Sequence, residues 1–268
     1  MSASQPRPSA RIGPINLHAR LDKPVTPVDT EQRLVTTDPT NEPTIYQSLG
    51  ESAPKVKVEG TCLRRRALKF LRLLDGGPFE MVSDRYTGFV LAGAVSVDPY
   101  KWRPSEGNWG YKYSLDLVGT PAPANGERTP LPGNTAAARP TGRPTPRSRP
   151  ATKVAGIELP PRLNQPAVAI DGEAEIHEHD VIGKPTVARY GGRKASTVSI
   201  NGSAMLRHAK RFDSLTADDQ ITVRSDLFRG DGIVESVNTD PADGFYEREP
   251  DRPGWTYSIT MKEVLGVN

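Results

Sequence analysis

A single cysteine, Cys62, stands among the 268 residues, which excludes an internal disulfide and any cysteine-based zinc cage. Aromatic residues are scarce at 6%, and hydrophobic residues reach only 35%. That is lean for one large core and suits two modest ones joined by extended chain. Neither sign of charge dominates, because 35 Lys and Arg against 32 Asp and Glu leave a net +3, too little to argue for nucleic-acid recognition. Long apolar runs are missing as well. The longest, Phe89 to Val97, could not span a bilayer, and no membrane insertion is expected. The opening Met1 to Pro6 lacks the basic-then-apolar order of a signal peptide, so synthesis in a cytoplasm is expected. No Gly-rich phosphate loop, Gly-x-Ser-x-Gly elbow or dinucleotide fingerprint occurs.

What the chain does have is 26 prolines, 24 glycines and an internal repeat. With residue n set against n+142, Arg20-Leu21 faces Arg162-Leu163, Pro43-Thr44 faces Pro185-Thr186, and Gly50 faces Gly192. Val56, Val58 and Gly60 face Val198, Ile200 and Gly202. Ser83-Asp84 faces Ser225-Asp226, Gly88 faces Gly230, and Asp98-Pro99 faces Asp240-Pro241. Positions 12–99 against 154–241 give 24 identities in 88 ungapped positions, where ordinary compositions would give about five. After a two-residue insertion Tyr113, Leu115 and Leu117 match Tyr257, Ile259 and Met261. Such self-similarity indicates a duplicated unit.

Each copy reads as strands around one helix. Val56/Val58 and Val198/Ile200 alternate with polar residues as a half-buried strand does. Gly60 and Gly202 are expected to end that strand, and Thr61 and Ser203 to cap the helix. One apolar stripe follows, Leu63-Ala67-Phe70-Leu73 in the first copy and Met205-Ala209-Phe212-Leu215 in the second. Its outer face carries Arg64, Arg65 and Lys69, or Arg207, Lys210 and Arg211. Strands are expected at Phe79–Met81 and Ile221–Val223, then hairpin loops at 83–88 and 225–230 with glycine supplied for positive φ. Longer strands at about Phe89–Val97 and Gly232–Thr239 should stop at Asp-Pro, and final strands run over Tyr111–Val118 and Trp255–Lys262. Weaker candidates lie at Arg33–Thr37, Thr44–Gln47, Glu173–His179 and Thr186–Tyr190.

The fold class is therefore mainly β (α+β): two tandem, duplicated β-barrel or sandwich domains, each with one flanking helix. The divisions expected are an N-terminal arm 1–11, copy 1 at 12–118, a linker 119–153, copy 2 at 154–264 and a tail 265–268. The linker is rich in Pro and Arg. It favours polyproline II conformers and could reach roughly 100 Å at about 3.1 Å per residue.

Few residues invite chemistry. His177 and His179 would share one face of a strand and could ligate a metal, but the first copy has Val35 and Thr37 there and no third ligand is evident, so they read as surface histidines. Cys62 matches Ala204 and reads as a small packing residue. Asp84 and Asp226 read as turn residues that bond their own backbone. Arg139, Arg143, Arg147 and Arg149 could grip phosphates, but no aromatics are interleaved with them for stacking. Catalytic, cofactor-binding and metal-binding residues are all expected to be none, and the chain is expected not to be an enzyme.

The run Glu175 to Gly183, then Gly191-Gly192-Arg193, Val198 to Gly202, Val223 to Asp226, Gly232 to Val237 and Tyr257 to Met261 resembles tail-tip and baseplate proteins of tailed viruses and contractile injection systems. Tyr86 to Gly88, Ala94 to Asp98 and Tyr113 to Leu117 carry the same pattern in the first copy, which lacks the Gly-Arg pair at Gly50-Glu51. The resemblance implies a tail-tube-like fold whose sheets join between subunits into a ring around the tail channel. It also implies a virion location, in the tail, after assembly in the host cytoplasm. The partners it implies are a tube protein, hub or adaptor and further copies of the chain, as a trimer or hexamer, with channel DNA passing nearby but not recognised specifically. The alternative reading is a carbohydrate- or receptor-binding module. It draws on Tyr100, Trp102, Trp109 and Tyr111 in one copy and on Phe245, Tyr246 and Trp255 in the other.

Overall fold

The computed structural model describes residues 10–17, 28–29, 32–37, 45–83, 85–103, 108–123, 151–159, 166–179, 186–241 and 254–265, with backbone alone at 28–29, 32–37, 45–51, 101–103 and 108–109. It is mainly β, with two α-helices among the described residues. In the N-terminal half the strands are β1 (Arg11–Ile12), β2 (Ile15–Asn16), β3 (Val28–Asp29), β4 (Gln32–Thr37), β5 (Ile45–Glu51), β6 (Lys55–Leu63), β7 (Phe79–Val82), β8 (Thr87–Arg103) and β9 (Asn108–Thr120). Helix α1 (Arg64–Leu71) and a 3-10 turn (Arg72–Asp75) lie between β6 and β7. The C-terminal half has β10 (Thr152–Val154), β11 (Ile157–Leu159), β12 (Ala167–His179), β13 (Val187–Arg193), β14 (Thr197–Ala204), α2 (Leu206–Asp213), β15 (Gln220–Arg224), β16 (Arg229–Pro241) and β17 (Trp255–Glu263).

All described pairings are antiparallel. The N-terminal strands pair in the order β2-β1-β7-β8-β9-β6-β3, with β4 paired to β5. The C-terminal strands pair as β11-β10-β15-β16-β17-β14-β12, with the far end of β12 paired to β13. The registers agree as well: Val56↔Leu117, Val58↔Leu115 and Gly60↔Tyr113 have counterparts in Val198↔Met261, Ile200↔Ile259 and Gly202↔Tyr257.

Alternation explains the core. Val56, Val58, Leu115 and Leu117 point inward with Val198, Ile200, Ile259 and Met261, all buried. Each helix lays two residues into this surface, Ala67 and Phe70 or Ala209 and Phe212. Phe70 stacks at 4.3 Å on Tyr113 and Phe212 at 4.9 Å on Tyr257. Gly60 and Gly202 make room for those tyrosines. A Cβ would come within 2.9 Å of the Tyr113 hydroxyl or 2.6 Å of the Tyr257 hydroxyl. The core residues of both halves form one continuous cluster, where two separate cores were expected.

Several boundaries differ from the sequence reading. Gly60 and Gly202 lie inside β6 and β14 and do not end them, because their role is close approach to a ring. Thr61 and Ser203 remain in strands. The residues before the helices, Leu63 and Met205, are extended and make no side-chain cap. Leu63 is also exposed, so the first stripe begins at Ala67. Gly88 and Gly230 are strand residues packed against Tyr86 and Phe228, and positive φ occurs instead at Gly13, Gly77, Gly156 and Gly192. Strand β8 continues through Pro99 to Arg103, with a register shift between Pro99 and Trp102 that accommodates the missing N–H. The short hairpins β1-β2 and β10-β11 were not anticipated, since two or three residues carry too little periodicity to read.

Phe212 is fully buried beneath Tyr257. Replacing it by Ala should lower unfolding stability by about 3–5 kcal/mol, read from the midpoint of urea denaturation at unchanged slope.

Candidate assembly interface

Residues of the second half come to lie against the first along one seam. Strand β12 leaves β14 at Asp171, and its Ile170–Glu173 stretch pairs on its other edge with Ala94–Val97 of β8. This register, Ile170↔Val97 to Glu173↔Ala94, makes the two halves one 15-stranded sheet. Gly172 leaves no room for a side chain at this seam, because a Cβ there would run into Leu74 and lie 3.2 Å from the Ser196 hydroxyl.

Beyond the seam β12 and β13 form a hairpin that lies over the first half. Ala188 of β13 packs with Ala53 and Leu91, and Ile176, Tyr190 and Val118 cover the cluster. The Thr120 hydroxyl donates to the Ala188 carbonyl at 2.9 Å. The Tyr190 hydroxyl donates to the Leu74 carbonyl at 2.7 Å. Burial first, and then the Asp75 carboxylate, hold that phenol above its ordinary pKa, with Arg193 opposing, so it stays a donor. Arg193 ties the halves electrostatically, donating to Asp75 at 2.9 Å, Ser196 at 3.0 Å and Glu263 at 2.6 Å.

A third contact uses the Ser225–Phe228 turn. Arg64 Nε donates to the Asp226 carbonyl at 2.6 Å, and the Tyr111 hydroxyl donates to the Asp226 carboxylate. The turn itself is closed by Ser225, whose amide donates to the Phe228 carbonyl at 2.7 Å and whose hydroxyl accepts from the Leu227 and Phe228 amides. The sequence reading of Asp226 as a residue bonding its own backbone is thus corrected. Ser225 makes the turn, and Asp226 faces the other half. Arg64, expected on a solvated face, is drawn into the same contact. Near the seam, burial and then Asp171 push the Asp98 carboxyl above its ordinary range.

The same positions in the second half are open. Leu91 is 2% exposed under the hairpin, while its counterpart Ile233 is 41% exposed. Val95 and Val97 are buried by β12, whereas Val237 and Thr239 are only half-buried. Val264 stands at the place of Thr120 and Leu206 at that of Arg64, and both are exposed. Trp255 takes the place of Tyr111, each paired at the helix-entry residue, Ala204 or Cys62. The buried Trp255 Nε1–H has no acceptor among the described residues.

Other singled-out residues are dispersed. His177 and His179 share the exposed face of β12, where His177 Nε2 lies 3.7 Å from Glu175. Among the described residues no three His, Cys, Asp or Glu side chains are grouped to hold a metal ion. Cys62 is buried on β6 opposite Tyr111, and burial pushes its thiol from 9.0 to about 12. Tyr100 is half-exposed with Lys112 Nζ 5.1 Å from its ring centre, and the backbones of Trp102 and Trp109 are in register. Asp84, Arg139, Arg143, Arg147, Arg149, Phe245 and Tyr246 lie outside the described residues, as does the linker from 124 to 150. No helix among the described residues is long and apolar enough to cross a membrane.

Two measurements check this geometry. Gly172→Val should destabilise the protein by about 1–3 kcal/mol through overpacking. Leu74→Ala should cost less in that background than in the wild type, a coupling read from a double-mutant cycle. Because folding raises the Cys62 pKa, keeping the thiol neutral contributes stability that is full below about pH 9 and fades toward pH 12. Cys62→Ala should flatten that alkaline loss in a pH series of unfolding midpoints.

No protein-family model matches the chain, and no curated protein matches it either.

Proposed function

We propose that the chain is a non-enzymatic structural component of a viral tail tip or baseplate, serving as ring, adaptor or hub around the tail channel through intersubunit β-sheet contacts. One observation carries this reading: the halves join by adding strand β12 to the edge of β8, a join made of backbone. A unit that binds its neighbour by strand addition can be repeated around an axis, and joining edges protects small β domains from indiscriminate aggregation. The matched pairing order and registers of 11–120 and 152–263 support descent of both halves from one duplicated unit. The proline-rich stretch between β9 and β10 would serve as a strap, costing little entropy when laid along adjacent subunits. The resemblance of the Gly191–Arg193 and Tyr257–Met261 segments to tail-tip proteins supplies the setting, the virion tail, and partners such as a tube protein.

A carbohydrate- or receptor-binding module is the second reading, favoured by the half-exposed Tyr100 beside Lys112. The two are separated by negative-stain electron microscopy and sedimentation of the full chain with purified tail particles. The assembly reading expects ring-shaped oligomers with a central opening, retained on particles. A monodisperse monomer at high concentration that binds glycans and ignores particles would select the module instead.

A further inference from the structure

The inter-half seam is a template that the chain uses once and leaves half unused. Its acceptor side in the first half consists of the β8 edge at Ala94–Val97 with Leu91 beside it. The second half has an acceptor side at equivalent positions, and it is open. Strand β16 pairs with β15 only as far as Ile233 and with β17 along its other edge. Two backbone bonds join Val234 to Asp218 and Asp219. Past these, the edge at Ser236–Thr239 has no strand beside it among the described residues. Ile233 lies on this strand, and Leu206 and Val264 stand at the places of Arg64 and Thr120, which contact the other half in the template; the three are between 40% and 44% exposed. At Thr216, which stands where Leu74 stands, the side chain is exposed as well.

The donor side is also present twice. In the second half it is β12 together with the β12-β13 hairpin. In the first half it is β3, paired only to β6, and the hairpin β4-β5, which forms a separate two-stranded sheet. An isolated two-stranded hairpin is marginal in water and needs a surface to cover. The register shift in each hairpin falls at the same place, Arg33/Leu34 in one and Glu175/Ile176 in the other. Leu34 and Tyr46 therefore occupy the register positions of Ile176 and Ala188, the residues that cover Leu91.

We propose that the open side of the second half, the β16 edge at Ser236–Thr239 together with the exposed Ile233 and Val264, is a docking surface for a second copy of this chain, which adds its β3 strand there and lays its β4-β5 hairpin over Ile233. The template fixes the register: Ile170↔Val97 and Asp171↔Ser96 become Val28↔Thr239 and Asp29↔Asn238 between chains. The contact is head-to-tail, so each added chain presents the same open side again, and the series ends only by closing into a ring. The occupant is a second copy because the donor elements it requires are ones the chain itself carries, and among the described residues they pair with no strand of the other half. The inference rests on the assembly reading above and specifies which surface performs it.

The test uses the full chain. Sedimentation over a concentration series should show wild-type oligomers, and Ile233→Glu, a change at an exposed position, should raise the concentration needed for assembly at least tenfold without shifting the unfolding midpoint. Lys210→Glu, on the outer face of α2, should leave assembly unchanged. Cys62 is buried, so the double variant Asp29→Cys/Asn238→Cys should give a ladder of covalent multimers on mild oxidation, and neither single variant should. Rings that form equally well with Ile233→Glu and give no ladder would overturn the docking edge and leave the assembly reading intact, as would contact at Ile233 only in the presence of a different tail protein. A chain that stays monomeric at every concentration and is not retained on particles would overturn both.

Discussion

Four backbone-paired positions between β12 and β8 decide the architecture, because through them the strands of two halves become one sheet and one core. Backbone pairing is indifferent to most side chains, and a seam built from it tolerates divergence between halves. It demands close approach instead. Gly172 meets that demand, since any larger residue would meet Leu74. Around the seam the side chains that differ most between the halves do the specific work. Tyr190 and Arg193 reach Leu74 and Asp75, whereas the first half offers Ser48 and Glu51 at those positions.

The asymmetry of burial follows from the same constraint. A strand edge with a partner buries the valines beside it, as at Val95 and Val97. An edge with none among the described residues leaves the counterparts, Val237 and Thr239, half-buried. Exposed large apolar side chains occur in both halves, at Leu63 and Tyr100 in the first and at Leu206, Ile233, Val264 and Leu265 in the second. Single exposed apolar residues are ordinary on a protein surface. Ile233, Leu206 and Val264 coincide with the positions that the other half covers, which is what gives them meaning. From the helices, Arg64 of α1 reaches across to the Asp226 carbonyl. Each helix keeps its own half together by pressing one phenylalanine onto one tyrosine.

Much of this order was legible in the residues. Alternation located the long strands, since a two-residue period on one buried face leaves a strong mark. The repeat allowed weak signals at Arg33–Thr37 and Glu173–His179 to reinforce each other, as did those at Thr44–Gln47 and Thr186–Tyr190. The turn at Ser225–Phe228 was visible too, but not which of its residues would close it. A serine hydroxyl and an aspartate can both accept backbone amides, and in both halves the serine, Ser83 or Ser225, takes that role, while the Asp226 carboxylate accepts from Tyr111. The glycines at 60 and 202 were misread for a similar reason. Their small size serves rings distant in sequence.

By itself the sequence determined that the chain is mainly β, that its halves share a pattern, and that Ala67, Phe70, Ala209 and Phe212 form the inner face of two helices. These follow from periodicities set by local backbone geometry. Only the tertiary structure decided that β12 is long enough to serve two neighbours, that both halves share one core, and that one acceptor edge is filled while its counterpart has no strand beside it among the described residues. Which strand lies beside which edge depends on contacts between residues some 70 to 160 positions apart, and no local pattern records them.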